Sequence, residues 1–112
     1  RIYNSWDSLD VAPALRYKNK TTSEESLGEF LKDSLKFPEG INCEGAVYIS
    51  FVLETDKSFS NITMLKEING CPLYNKEALR LIQLMQGFWI PAQLNGSAVR
   101  CKITIPIRFK IH

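Results

Sequence analysis

The chain carries one histidine, and that residue is His112 at the very C-terminus. No serine or cysteine sits in a Gly-flanked elbow, so neither a nucleophile nor a base for it can be nominated. Cys43, Cys71 and Cys101 show no C-x-x-C spacing, which with the lack of histidine removes a structural zinc site, and no cofactor is expected. An odd cysteine count leaves at least one free thiol in an oxidising compartment, whereas in a reducing one all three act as small buried hydrophobes. The compartment, and a bond between Cys43 and Cys71, stay open at this point. Gly40, Gly45 and Gly70 are isolated, so a glycine-rich phosphate loop is missing. No run of about 18 apolar residues is present to span a bilayer, and no charged-then-apolar leader opens the chain. Residue 1 is Arg rather than Met, which leaves room for an upstream leader, anchor or linker. Charge of one sign is lacking too: 14 basic residues face 12 acidic ones, a net charge of +2, too even a balance for a nucleic-acid partner.

The carboxylates have structural explanations. Glu54 and Asp56 flank a turn, and Glu24 and Glu25 stand at a helix start, where turn formation and the helix dipole account for them. Three N-x-S/T triplets begin at Asn19, Asn61 and Asn95, and they read as chance rather than glycosylation, two falling inside an expected strand or tight turn.

What is present is a set of alternating patterns in 112 residues, enough for one domain with one core. Residues 1–11 are polar with isolated Ile2, Tyr3, Trp6 and Leu9, an arm or linker end, and the domain proper is expected over 12–112. Residues 12–18 alternate weakly and fit a short edge strand, a position that tolerates Pro13. Thr22 and Glu25 have capping-box spacing. The helix they open is expected to run to about Lys36, with Leu27, Phe30, Leu31 and Leu35 on one stripe and Pro38 and Gly40 beyond its end. From Gly45 to Glu54 the period becomes two, with Val47, Ile49, Phe51 and Leu53 on one face, as in a central strand. A turn over residues 55–58 returns the chain as a second strand over 59–67. A second helix over about 73–86 places Leu73, Ala78, Leu81, Ile82 and Met85 on a buried stripe broadened by Leu79 and Leu84, with Gly87 as terminator.

The last third carries Trp89 and Pro91 as an anchoring corner beside Phe88, the turn dipeptide Asn95-Gly96, and a long alternating strand over 99–111. One face of that strand is apolar and the other largely cationic. Pro106 lacks a ladder N–H, which argues for an edge position. The order helix, hairpin, helix, strand predicts an α+β two-layer sandwich. Its sheet is mostly antiparallel and three-stranded, with room for an extra N-terminal edge strand, and both helices lie on one face. The last strand pairs with the Gly45 strand and leaves its outer side open.

Several motifs occur in a familiar order: Phe37-Pro38; Glu44-Gly45-x-Val47-x-Ile49-x-Phe51-Val52; Glu77-Ala78-Leu79-Arg80; Trp89-x-Pro91-Ala92; Asn95-Gly96-x-x-Val99; and Ile105-Pro106-Ile107-x-Phe109. In that order and spacing the chain resembles the C-terminal domain family of TonB, the energy transducer of Gram-negative bacteria, in the form common among Bacteroidetes. The resemblance implies a non-catalytic periplasmic domain of an inner-membrane-anchored protein that meets ExbB and ExbD through regions absent from this sequence. It also implies capture of the TonB box of an outer-membrane TonB-dependent receptor by strand addition. Carried onto this chain, the receptor-binding residues are Val99, Arg100, Cys101, Lys102, Ile103, Thr104, Ile105, Pro106, Ile107, Arg108 and Phe109, with Arg100, Lys102 and Arg108 as a charged rim. Trp89, Pro91, Asn95 and Gly96 are their structural support. The sequence departs from the family at Lys57, where Gly is usual in the hairpin turn, at Gln86-Gly87-Phe88, and at Ile90 in place of a basic residue.

A second reading stays open. The same domain, fused to a membrane sensor peptidase or a scaffold, would serve as an interaction or dimerisation module, including a homodimer by strand exchange. A protease inhibitor or ligand-cupping enzyme is a more distant third, resting on fold analogy alone.

Overall fold

A computed structural model describes residues 1–40 and 42–110. The central strand forms where period two was strongest: β3, Gly45–Leu53, buries Val47, Ile49, Phe51 and Leu53 completely. It pairs antiparallel with Phe59–Lys66 on one side and with Cys101–Phe109 on the other. In chain order these are β4 and β8. Before them come β1 (Tyr3–Asn4), β2 (Ala14–Leu15) and α1 (Ser23–Ser34). Between them lie α2 (Pro72–Leu84), β5 (Trp89–Ile90), β6 (Ala92–Leu94) and β7 (Ser97–Val99). The main sheet has the order β1-β8-β3-β4, so the expected three-stranded core is extended by one strand, and the class is α+β.

The extra strand is not the one expected. Ala14 and Leu15 pair with β5, Leu15 facing Trp89, in a separate two-stranded ladder. The main sheet is joined instead by Tyr3 and Asn4 from the arm, parallel to β8. A two-residue contact carries no periodicity, so the sequence pattern could not display it.

Both helices pack on the apolar face. Thr22 caps α1, its Oγ1 accepting from the Glu25 N–H at 3.1 Å. Phe30 enters the core while Leu27, Leu31 and Leu35 border it. In α2 the stripe holds at Ala78, Leu81, Ile82 and Met85, all fully buried, but Leu73 is 57% exposed and Leu84 47% exposed. Leu73 follows Pro72 in the first turn of α2, and the core position there goes to Tyr74, whose ring meets Phe109 edge-on at 5.1 Å. The start of α2 is held by Asn75, whose side-chain amide closes on the Ile68 backbone in both directions, at 2.8 and 3.0 Å.

Cys43 and Cys71 form a disulfide with a Cα–Cα separation of 6.4 Å, tying the segment before β3 to the N-cap of α2. Cys101 is a buried free thiol. The asparagines of the three glycosylation-like triplets all have a local backbone role. Asn19, Asn61 and Asn95 adopt positive φ, Asn61 within the irregular register between Ser50 and Val52 of β3.

Lys57 holds a φ of +74° in the β3–β4 turn, where its N–H donates to the Glu54 carbonyl at 3.0 Å. Asp56 Oδ1 fixes the next residue by accepting from the Ser58 N–H at 3.0 Å. The turn thus keeps a left-handed position with a non-glycine residue, at a cost of about 1 kcal/mol relative to an unstrained backbone. Lys57→Gly relieves that strain and gives part of it back as unfolded-chain entropy, a net gain of about 0.5 kcal/mol. Thermal unfolding should rise by roughly 2–4 °C. A fall in Tm would show that Lys57 contributes more than its backbone strain costs.

Candidate functional site

The last strand is shorter than the continuous pattern over 99–111. Val99 ends β7, which hairpins with β6 through Asn95 (φ +53°) and Gly96 (φ +79°), and Ala92 sits opposite Val99. Positive φ at both turn residues is what an Asn-Gly type I′ connection requires. Asn95 N–H is further anchored by Asp10 Oδ2 at 2.6 Å. Arg100 belongs to neither strand, and β8 proper begins at Cys101. Ile111 lies outside the described residues. Of the eleven residues expected to receive a partner strand, nine therefore form β8, while Val99 is engaged in a different ladder.

Within β8 the alternation is strict. Cys101, Ile103, Ile105, Ile107 and Phe109 are buried, and Lys102, Thr104 and Arg108 are exposed. The backbone has its own parity. Tyr3 N–H donates to the Arg100 carbonyl at 3.0 Å, which puts the main-chain groups of even-numbered residues on the outer edge. The odd-numbered residues exchange their bonds with β3, in the pairs Leu53–Cys101, Phe51–Ile103, Ile49–Ile105, Val47–Ile107 and Gly45–Phe109. Pro106, opposite Tyr48, falls on the even parity, so its missing N–H faces outward and the ladder to β3 loses nothing.

The edge differs from the expected one at its start. β1 covers it at Cys101 and Lys102, so the outer side of β8 is not open throughout. Beyond Lys102 no strand pairs with it among the described residues. The groups left for a partner are the N–H and C=O of Thr104, the C=O of Pro106, and the N–H and C=O of Arg108.

Side chains around the edge divide into engaged and free. Arg100 makes a two-pronged contact with Glu54, Nε to Oε1 at 2.7 Å and a terminal nitrogen to Oε2 at 3.1 Å. The guanidinium, together with the Ser60 hydroxyl, holds the Glu54 carboxyl below its ordinary pKa. Arg100 is thus a structural clamp across the sheet rather than a free rim charge. Lys102 and Arg108 remain exposed.

Trp89, 5% exposed, meets Phe51 edge-on at 5.8 Å and faces Leu15 across the β2–β5 ladder, so the corner supports the core. Phe88 lies half-exposed against Tyr17 and Phe30. Beside Thr104 and Pro106 a groove of about 230 Å³ opens, walled by Pro13, Leu15, Leu27 and Trp89. Trp89 Nε1 is buried without a hydrogen-bond partner. Nothing in the alternation of the strand announced this groove, because its walls come from three separate stretches of chain.

A concavity of about 440 Å³ between the exit of α1 and α2 contains Glu77 and Arg80, but they bind each other and the end of α1. Asp33 is likewise engaged with Tyr17 and Lys18, at 2.9 and 2.6 Å. Among the described residues, no group of three or more His, Cys, Asp or Glu side chains is placed to hold a metal ion, and no helix is long and apolar enough to cross a membrane.

A sequence profile of the family described as Gram-negative bacterial TonB protein C-terminal matches residues 40–111. Among solved structures, the NMR solution structure of the Helicobacter pylori TonB-CTD is similar, with a TM-score of 0.50 and 22% sequence identity, covering 86% of this chain and 91% of that chain. At that identity the likeness speaks to the fold alone. The search of curated proteins returned no match.

Proposed function

This chain belongs to the Gram-negative TonB protein C-terminal family, and on that footing we propose that it is the receptor-binding domain of a TonB-like energy transducer. It captures the TonB box of an outer-membrane TonB-dependent receptor by strand addition to β8, and so couples proton motive force to uptake. The domain is non-catalytic and lies in the periplasm. ExbB and ExbD act through parts of the protein outside this sequence.

The observation that carries the proposal is the outward backbone of Thr104, Pro106 and Arg108, on a strand that is fully paired to β3 on its inner side. An extended segment gains its affinity there from main-chain hydrogen bonds. Pro106 removes one donor, so the segment meets two N–H groups and three carbonyls. Its alternate side chains on the helix side fall into the groove walled by Leu15, Leu27 and Trp89, where fit supplies selectivity. The Cys43–Cys71 disulfide supports an oxidising compartment such as the periplasm. Load drawn along the partner strand is shared in shear by β8 and its nine-residue pairing with β3.

Thr104→Pro tests the edge directly. Its N–H faces outward, as that of position 106 would, so no bond to β3 is lost and Tm should move little. Loss of one backbone hydrogen bond of about 1 kcal/mol weakens binding of a TonB-box peptide about fivefold. Binding unchanged by Thr104→Pro, with amide shifts on β4 rather than β8, would place the partner elsewhere.

A further inference from the structure

The arm occupies the start of the same edge whose later part the proposed partner strand uses. β1 lies parallel on β8 with Tyr3 opposite Cys101 and Asn4 opposite Lys102, and Tyr3 N–H takes the Arg100 carbonyl at 3.0 Å. An edge strand can pair with one neighbour at a time, so a segment that uses β8 from its beginning must remove β1 first.

The contact is built to be short. Asn4 N–H turns back to Asp7 Oδ2 at 2.8 Å, and Asp7 N–H donates to the Asn4 carbonyl at 3.0 Å. This turn leads the chain off β8 before Thr104, and it leaves Trp6 79% exposed. Side-chain support is light. Arg1 lies 4.4 Å over the Tyr3 ring and 3.8 Å from Asp7, an exposed arrangement worth little. Farther along, the arm is pinned: the Asp10 and Val11 N–H groups donate to the Gln93 carbonyl, and Gln93 N–H donates to the Val11 carbonyl at 2.9 Å. A weakly held strand is thus tethered a few residues from its docking place, where a short tether gives a local concentration of about millimolar.

We propose that residues 2–4 are a built-in competitor for the strand-addition edge, occupying Arg100–Lys102 in the free domain and leaving when a receptor segment pairs along β8. The proposal rests on the reading of β8 as the receptor edge and adds its regulation. Only segments long enough to use both Arg100–Lys102 and Thr104–Arg108 gain enough bonds to displace the arm. The arm therefore bars from Arg100–Lys102 any segment too short to displace it, and leaves such a segment only the groups from Thr104 to Arg108.

The test compares three proteins: the 112-residue domain (the full chain below), a form starting at Leu9, and Tyr3→Pro in the 112-residue domain, which removes the donor to Arg100 without shortening the arm. Each is titrated with a synthetic TonB-box peptide of a TonB-dependent receptor, with backbone amides followed by NMR. Both altered proteins should bind about 3- to 10-fold more tightly than the full chain, because the edge no longer spends part of its time covered. In the full chain at saturation, the Tyr3 amide should move to a random-coil position. Equal or weaker binding by both altered proteins, or an unmoved Tyr3 amide at saturation, overturns the competitor while leaving the edge in place. Failure of all three proteins to bind overturns the edge reading itself.

Discussion

Loss of the Cys43–Cys71 disulfide should lower the unfolding free energy by about 3.5 kcal/mol, the loop-closure entropy that model chains assign to a ring of this size. The bond spans a sequence separation of 28 residues, and the ring includes the whole β3–β4 hairpin. Without it the unfolded chain gains freedom, while the folded chain keeps β3 paired on both sides. The double variant Cys43→Ala, Cys71→Ala should still fold, with a lowered urea midpoint and a steeper slope, because the unfolded chain without the cross-link exposes more surface. In the native chain Cys101 does not attack this bond. It is fully buried in β8, and burial, with the nearby Asp7 charge, pushes its thiol pKa up, so little thiolate is available to attack. Intact mass after alkylation without reduction should show one modified cysteine at most. A loss of less than about 1 kcal/mol would mean that the unfolded chain is already compact around these residues.

This bond also marks where sequence reading stops. The chemistry of Cys43 and Cys71 was visible, but their meeting depends on α2 starting beside the segment that leads into β3, a relation between distant stretches. Elements with a long internal period were legible. Val47, Ile49, Phe51 and Leu53 face the core, Thr22 caps α1, and the strand order of β4, β3 and β8 follows from the crossover of α2. Pro106 carried its message through backbone parity, and the structure agrees with its outward placement. The break at Arg100 was hidden because apolar and polar residues go on alternating as the chain passes from β7 to β8. At that break Arg100 turns to Glu54, a partner 46 residues away. The arm was hidden for the opposite reason: Tyr3 and Asn4 pair over too short a length to leave any pattern. At the proposed site, then, the strand was legible and its competitor was not.

Glu77→Ala should cost about 3 kcal/mol, because it strips a buried carboxylate from three charge-assisted hydrogen bonds and leaves their donors behind. Glu77 is 8% exposed and accepts from Arg80 through both oxygens, at 2.6 and 2.7 Å, and from the Lys36 backbone N–H at 2.8 Å. Arg80 in turn donates to the Ser34 carbonyl at 2.8 Å, so one ion pair holds the C-terminal end of α1 against α2. The guanidinium is partly in solvent, which screens the pair and keeps the cost at the lower end of the range for buried ion pairs. Burial alone raises the Glu77 pKa, but Arg80 and the Lys36 N–H outweigh it and the carboxyl titrates below its ordinary value of 4.5. A pKa depressed by folding adds stability that is complete above the unfolded value and disappears as pH falls through the folded one. The difference in unfolding free energy between the native chain and Glu77→Gln should therefore be level from pH 7 down to about 5 and narrow at lower pH. Urea titrations at pH 7, 5 and 3.5 measure it. A gap that stays constant to pH 3.5 would locate the acid sensitivity of the fold elsewhere, with the Glu54–Arg100 clamp as the next pair to test.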